Sequence, residues 1–149
     1  ALQSVKDYGF AILRDVPCEA GEILKVMSEF GFVRHTIYAP LFEVRSTVNA
    51  NNLVFTHLVL GCHLDNPYRD PAPGIQLLHC LQSSTAGGES ILQDGFMAAN
   101  LLREENQQHF DTLSQQWINY RFQDANTDLQ ARVPMLEVND KKEIIEAVT

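Results

Sequence analysis

The sequence predicts an α+β fold dominated by strands, and three observations carry that expectation. Trp117-Ile118-Asn119-Tyr120-Arg121-Phe122 alternates apolar and polar residues with the period of two that a half-buried strand requires. Residues 135–138 and 143–148 are two apolar runs joined by the turn formers Asn139-Asp140, which reads as a hairpin. Between these and an earlier set of apolar runs lies a helical region introduced by Asp94-Gly95 and running through Leu101, Leu102 and Phe110 to Leu113. Strands, a helical insert and more strands do not make an alternating βαβ pattern. With no Gly-x-Gly-x-x-Gly or Walker loop in the chain, a Rossmann-type nucleotide site is excluded.

The elements before the helical region follow in order. Tyr8-Gly9-Phe10-Ala11-Ile12-Leu13 reads as a short apolar strand ended by Asp15 and Pro17. Residues 20–30 place Ile23, Leu24, Met27 and Phe30 on one helical face, and Gly31 stops that helix. Residues 69–74, with Pro71 and Pro73, are a loop, because two prolines two residues apart deny the backbone both helix and ladder. Residues 75–81 read as a buried strand, Ala86-Gly87-Gly88 as a turn, and residues 89–93 as a further strand.

Length and composition bound the function. A chain of 149 residues with 45% hydrophobic side chains can bury the core of one domain, and no repeat or low-complexity linker divides it. The net charge of -8, with Lys and Arg scattered singly apart from Lys141-Lys142, leaves no basic stripe for phosphates, so nucleic acid is not an expected partner. No apolar run reaches the eighteen or so residues of a spanning helix and the first residues do not have the build of a secretory signal, so no membrane association is expected. Cys18, Cys62 and Cys80 fit neither a disulfide framework nor a paired zinc motif, and read as reduced thiols in a cytoplasmic protein. The chain opens inside apolar sequence and closes in a strand-like run, so further sequence is expected beyond its C-terminal end.

The chemistry-bearing stretch is Gly61-Cys62-His63-Leu64-Asp65-Asn66-Pro67-Tyr68-Arg69. On an extended segment, residues two apart point the same way, so the His63 imidazole and the Asp65 carboxylate can occupy adjacent vertices of one metal ion. Two His and one carboxylate on one face of Fe(II), with the opposite positions open, form the facial triad of non-haem oxygenases. His63 and Asp65 supply two of the three. A chain with this many His and Asp carries about 0.3 such spacings by chance, and a surface turn with a satisfied histidine is the alternative.

Several separated segments add weight in the same order along the chain. Tyr38-Ala39-Pro40-Leu41-Phe42-Glu43-Val44, Asn49-Ala50-Asn51-Asn52-Leu53-Val54-Phe55-Thr56, the His63-to-Tyr68 segment, Pro71-Ala72-Pro73-Gly74-Ile75-Gln76-Leu77-Leu78-His79-Cys80, Gly87-Gly88-Glu89-Ser90 and Asp94-Gly95-Phe96 together resemble the gamma-butyrobetaine dioxygenase family. That family belongs to the Fe(II)/2-oxoglutarate oxygenases similar to taurine dioxygenase. The resemblance implies a double-stranded β-helix, or jelly roll, with flanking helices. It implies Fe(II) held by His63 and Asp65, 2-oxoglutarate as cosubstrate, molecular oxygen, and hydroxylation of a C–H bond in a small substrate such as the trimethylammonium acid gamma-butyrobetaine. A trimethylammonium cage would fall on Tyr38, Phe42 and Phe55, with Asn52 on the substrate carboxylate. Aromatic faces attract a quaternary ammonium through the ring quadrupole, whereas hydrogen bonds cannot hold it; core packing is the alternative for Tyr38 and Phe42.

The chain departs from that pattern in places. The family's third ligand is a His far beyond Asp65, followed by an Arg that pairs with 2-oxoglutarate, and the chain ends before either. Of the later histidines, His79 is expected in a buried strand and His109 on a solvated helix, and neither replaces it. Leu64 stands where relatives have Thr, and Cys62 where Pro is common. The whole chain, 1–149, is therefore expected to be part of an oxygenase catalytic domain, with an incomplete jelly roll and little or no turnover by itself. A noncatalytic jelly-roll module for binding or assembly is the alternative, and unpaired strand edges would favour a homodimer.

Overall fold

A computed structural model describes residues 1–35, 39–44, 61–82 and 89–147. Its elements are α1 (Leu2–Tyr8), α2 (Glu22–Ser28), α3 (Gly95–Glu105), α4 (Gln107–Gln115), β1 (Trp117–Gln123), β2 (Asp128–Pro134), β3 (Leu136–Val138) and β4 (Ile144–Ala147). They divide between two units, residues 1–60 with 75–90 and residues 61–74 with 91–149.

The first unit holds α1 and α2. In α1 the Gln3 amide donates to the Asp7 carboxylate at 2.8 Å one turn on. The helix closes at Gly9, which adopts φ 79 and donates its N–H to the Val5 carbonyl at 2.8 Å. This corrects the strand expected over residues 8–13. A left-handed glycine is a helix terminator, and Phe10, Ile12 and Leu13 beyond it are exposed and belong to no ladder among the described residues. The helix expected over 20–30 is present as α2, and the Gly31 N–H turns back to the Met27 carbonyl at 3.0 Å, as the stop signal requires. Ile23 and Met27 are half-buried on its inner face, while Leu24 and Phe30 are exposed. Residues 75–81 and 89–93 form neither of the expected strands, and Ile75, Leu78, Ile91 and Leu92 are exposed. Apolar runs become strands only where a neighbour completes the hydrogen-bond ladder, and no such neighbour lies among the described residues.

The second unit contains the helical pair and both hairpins. Asp94 caps α3 by accepting the Met97 N–H at 2.9 Å. Asn106 both ends α3, donating its N–H to the Leu102 carbonyl at 2.8 Å, and starts α4, its side chain accepting the His109 N–H at 3.1 Å. One residue thus makes the corner that packs the helices together. Ala99, Phe110 and Leu136 form the core there, with Leu102, Leu113, Val138 and Ile144 against them.

The expected strand over 117–122 is β1, which pairs antiparallel with β2 in the register Trp117↔Pro134 through Gln123↔Asp128. Ile118, Tyr120 and Phe122 turn inward and Trp117, Asn119, Arg121 and Gln123 outward. The connecting turn is tied by Asp124, whose carboxylate accepts the N–H groups of Asn126 and Thr127, each at 2.8 Å. The expected hairpin over 135–148 is β3–β4, with Asn139 Oδ1 accepting the N–H groups of Lys141 at 3.0 Å and Glu143 at 2.9 Å. Among the described residues the strands thus make two two-stranded antiparallel sheets, in an α+β arrangement where helices precede strands. The two facing sheets of a jelly roll are not assembled from these residues. Cys18, Cys62 and Cys80 are free and exposed, and no helix among the described residues is long and apolar enough to cross a membrane.

Candidate metal-ligand pair and its supporting loop

Residues 61–74 of the second unit carry the His63-x-Asp65 triplet on a segment that is neither helix nor strand. The two side chains nonetheless converge, with His63 Nε2 and Asp65 Oδ1 3.4 Å apart. Charge-assisted N–H···O bonds run about 2.7–2.9 Å, so this spacing is long for an ion pair. It suits two donors of one cation.

The other imidazole nitrogen fixes which atom faces Asp65. His63 Nδ1 lies 2.6 Å from the Gly61 carbonyl oxygen, which can only accept, so Nδ1–H donates and Nε2 is the nitrogen turned towards Asp65. A backbone carbonyl behind a ligating histidine is the usual way a protein sets tautomer and ring orientation. Both side chains are half-exposed, 38% for His63 and 47% for Asp65, which leaves room beside them for small ligands.

Beyond Asp65 the chain turns sharply. Asn66 has φ 60, in the left-handed region, and Pro67 and Tyr68 form a turn closed by the Arg69 N–H to the Asn66 carbonyl at 3.1 Å. The Tyr68 hydroxyl donates to Asn66 Oδ1 at 2.6 Å. Its ring rests against Phe122 of β1, centroids 5.2 Å apart and tilted by 35°. On the other side of the triplet, a groove of about 260 Å³ is bounded by Cys62, His63 and Leu64 and by Ala98, Ala99, Leu102, Leu113 and Leu136. Leu64, the residue between the two ligands in sequence, therefore faces the apolar wall made by α3 and α4.

The sequence-derived site residues fare unequally. His63 and Asp65 are brought together. Phe42 lies in the first unit with an exposed side chain, and Tyr38, Asn52 and Phe55 fall outside the described residues. His79 is half-buried in a non-ladder segment rather than in a strand, with Nε2 enclosed and without a hydrogen-bond partner. His109 is exposed on α4, as expected. Among the described residues no cluster of three or more His, Cys, Asp or Glu side chains forms. Sequence reasoning missed Gly61, whose carbonyl sits behind His63, and the turn that Asn66 and Tyr68 make after the pair. The signal available was Asn-Pro directly after the carboxylate, a turn-forming dipeptide that dictates how the chain leaves Asp65.

Comparison with known proteins agrees with the resemblance. Over 145 residues the chain is 32% identical to a gamma-butyrobetaine dioxygenase of Pseudomonas sp. (strain AK-1), covering 97% of this chain and 38% of that protein. It is 31% identical to the Homo sapiens gamma-butyrobetaine dioxygenase over 149 residues, with the same shares, and 33% identical to a mitochondrial trimethyllysine dioxygenase of Rattus norvegicus over 114 residues, covering 76% of this chain and 27% of that one. The chain thus spans about two-fifths of the length of the gamma-butyrobetaine dioxygenases it matches. Residues 1–148 match the family described as taurine catabolism dioxygenase TauD, TfdA, and the chain belongs to that family.

Proposed function

We propose that this chain contributes two iron ligands, His63 Nε2 and Asp65 Oδ1, to an Fe(II)/2-oxoglutarate-dependent dioxygenase that hydroxylates a C–H bond of a small trimethylammonium acid of the gamma-butyrobetaine type. The observation that carries the reading is the convergence of those two atoms to 3.4 Å, with the imidazole tautomer set by the Gly61 carbonyl. Family membership supplies the reaction class. Iron with 2-oxoglutarate supplies the oxygen-activating, hydrogen-removing chemistry when bound.

The chain's own residues do the positioning. His63 offers a neutral nitrogen and Asp65 an anionic oxygen, a donor set suited to a borderline divalent ion. Their half-exposure leaves the neighbouring coordination positions accessible to a keto acid. The apolar wall beside Leu64 borders the His63 segment on α3 and α4. Tyr38, Phe42 and Phe55 are the residues we assign to an aromatic cage for the trimethylammonium group, and Asn52 to its carboxylate, on the family resemblance. The jelly roll and the cytoplasmic location belong to the same reading.

The test is succinate formation from 2-oxoglutarate, with gamma-butyrobetaine as substrate, by the protein in its natural full length and by its His63→Ala and Asp65→Ala variants. Turnover in the parent and its loss in both variants is the expected result; turnover that survives either substitution refutes the ligand assignment. Residues 1–149 alone, which offer no third ligand among those described, are expected to give little or no succinate. A family-typical rate from them contradicts that.

A further inference from the structure

Cys18 and Cys80 are 62 positions apart in sequence and meet in the first unit, where the Cys18 thiol donates to the Cys80 carbonyl oxygen with Sγ 4.0 Å away. Cys18 is the middle residue of a three-residue turn closed by the Glu19 N–H to the Pro17 carbonyl at 2.8 Å. On the other segment burial alternates, with Leu77 and His79 half-buried and Leu78 and Cys80 exposed. Both thiols are free and open to solvent.

The approach is close enough for a covalent bond to be within reach. Carrying standard bond lengths out from Sγ on one side and from the carbonyl oxygen on the other, the two Cα atoms stand no more than about 9 Å apart. A disulfide spans Cα separations of about 4.4–6.8 Å, so even at that upper limit an approach of about 2–3 Å closes the gap. Neither cysteine lies in a helix or a strand, and the movement breaks no helical turn and no ladder at either residue.

We propose that Cys18 and Cys80 are a redox-active dithiol that closes reversibly to an intramolecular disulfide, with a low-molecular-weight disulfide such as oxidised glutathione as the oxidant. One cysteine, as thiolate, attacks a sulfur of the oxidant, giving a mixed disulfide and expelling one glutathione thiolate. The second cysteine, as thiolate, attacks the protein sulfur of that mixed disulfide, forming the Cys18–Cys80 bond and expelling the other glutathione. The two protein thiols give up two electrons and two protons, and the oxidant takes up both as two glutathione thiols. Exposure of both residues gives the oxidant access. A bond between two irregular, exposed segments belongs with the labile disulfides that respond to redox poise, so the pair stays open under reducing conditions and closes as the poise rises. The pairing does not depend on His63 and Asp65 being metal ligands.

The experiment equilibrates the protein in its natural full length with glutathione buffers of increasing oxidised fraction, quenches with acid, alkylates, and maps the tryptic peptides by mass. Cys18, Cys62 and Cys80 fall in three different tryptic peptides, 15–25, 46–69 and 70–103, so each pairing has its own mass. The expected result is that peptides 15–25 and 70–103, linked and two hydrogens lighter than their sum, are the main oxidised form of these three cysteines. The link should revert to thiols with dithiothreitol and should leave the mobility of a single chain on non-reducing denaturing electrophoresis. Cys18→Ser should leave Cys80 as a glutathione adduct, and Cys62→Ser should leave the link intact. Oxidation in concentrated guanidinium chloride should cut the linked fraction severalfold, because an unfolded chain no longer holds the two thiols together. Separate glutathione adducts on Cys18 and Cys80 at every poise, a link from either to Cys62, a bridge between two chains in place of the internal one, or an equal yield from the unfolded chain overturns the proposal.

Discussion

Phe110→Ala tests whether the α3–α4 corner is the core on which the ligand-bearing loop depends. Phe110 is 3% exposed and packs with Ala99 and Leu136, with Leu102, Leu113, Val138 and Ile144 around them. Truncating a buried Phe to Ala costs about 3–5 kcal/mol, from lost transfer free energy and the cavity left behind. The ring also carries the Arg103 guanidinium, 4.4 Å from its centroid, while Arg103 Nε is enclosed and without an acceptor. A cation–π contact of this kind adds about 0.5–2 kcal/mol, depending on how dry it is. The site therefore belongs at the upper end of the range, and we expect a loss of about 4–5 kcal/mol, a large part of the 5–15 kcal/mol that typically holds a domain folded. In urea, with a slope of about 2 kcal/mol per molar, the midpoint should fall by about 2 M. Phe110→Leu fills most of the space and should lose less than half as much. A midpoint shift below about 0.5 M for Phe110→Ala, equivalent to about 1 kcal/mol, would refute the reasoning, because it would mean the cluster around Phe110 is not a cooperative core.

Two further predictions concern local structure. Asp94→Ala removes the acceptor for the Met97 N–H at the start of α3 and should destabilise the protein by about 1 kcal/mol, read from the same urea transitions, with Asp94→Asn close to the parent. The Arg121 guanidinium, which donates two hydrogen bonds to Asp128 at 2.8 Å, holds the Asp128 carboxyl below its ordinary value; the charge attraction and the Gln130 amide act in the same direction and partial desolvation opposes them. A native carboxyl depressed below its unfolded value of about 3.9 stabilises the fold fully above that pH and loses the contribution as pH falls through the native value. Carboxyl carbon NMR should show Asp128 titrating below its ordinary carboxylate value and rising back towards it in Arg121→Gln. The pair is on the surface, so the same substitution should barely move the urea midpoint at neutral pH.

Legibility from sequence follows the range of the interactions. Elements whose determinants are local were read correctly. The helix entered through Asp94-Gly95 has its cap within three residues, β1 has its period of two, and the β3–β4 turn is tied by Asn139. Residues 8–13, 75–81 and 89–93 carry a strand pattern but form no strand, because an apolar run specifies burial but not the partner that would bury it. In residues 8–13 a local signal was overlooked as well, since Gly9 closes α1 by the Val5 carbonyl bond.

The ligand pair itself shows a different limit. The spacing of His63 and Asp65 predicts side chains on one side of the segment, and the structure brings Nε2 and Oδ1 to 3.4 Å although the segment is no strand. Asn66 leaves the extended region immediately after Asp65, so the chain turns away there, while the relation of the two side chains is set within residues 63–65. The turn that follows is held by Tyr68, three residues beyond Asp65, whose ring rests on Phe122, more than fifty positions later in sequence. Spacing can place two side chains on one side of a chain, but it does not reveal which distant element the following turn packs against. The consequence can be tested at the hairpin. Phe122 pairs with Leu129 at the turn end of β1, so a change that moves its ring should disturb the turn over residues 66–69 through Tyr68, which amide chemical shifts of those residues would report.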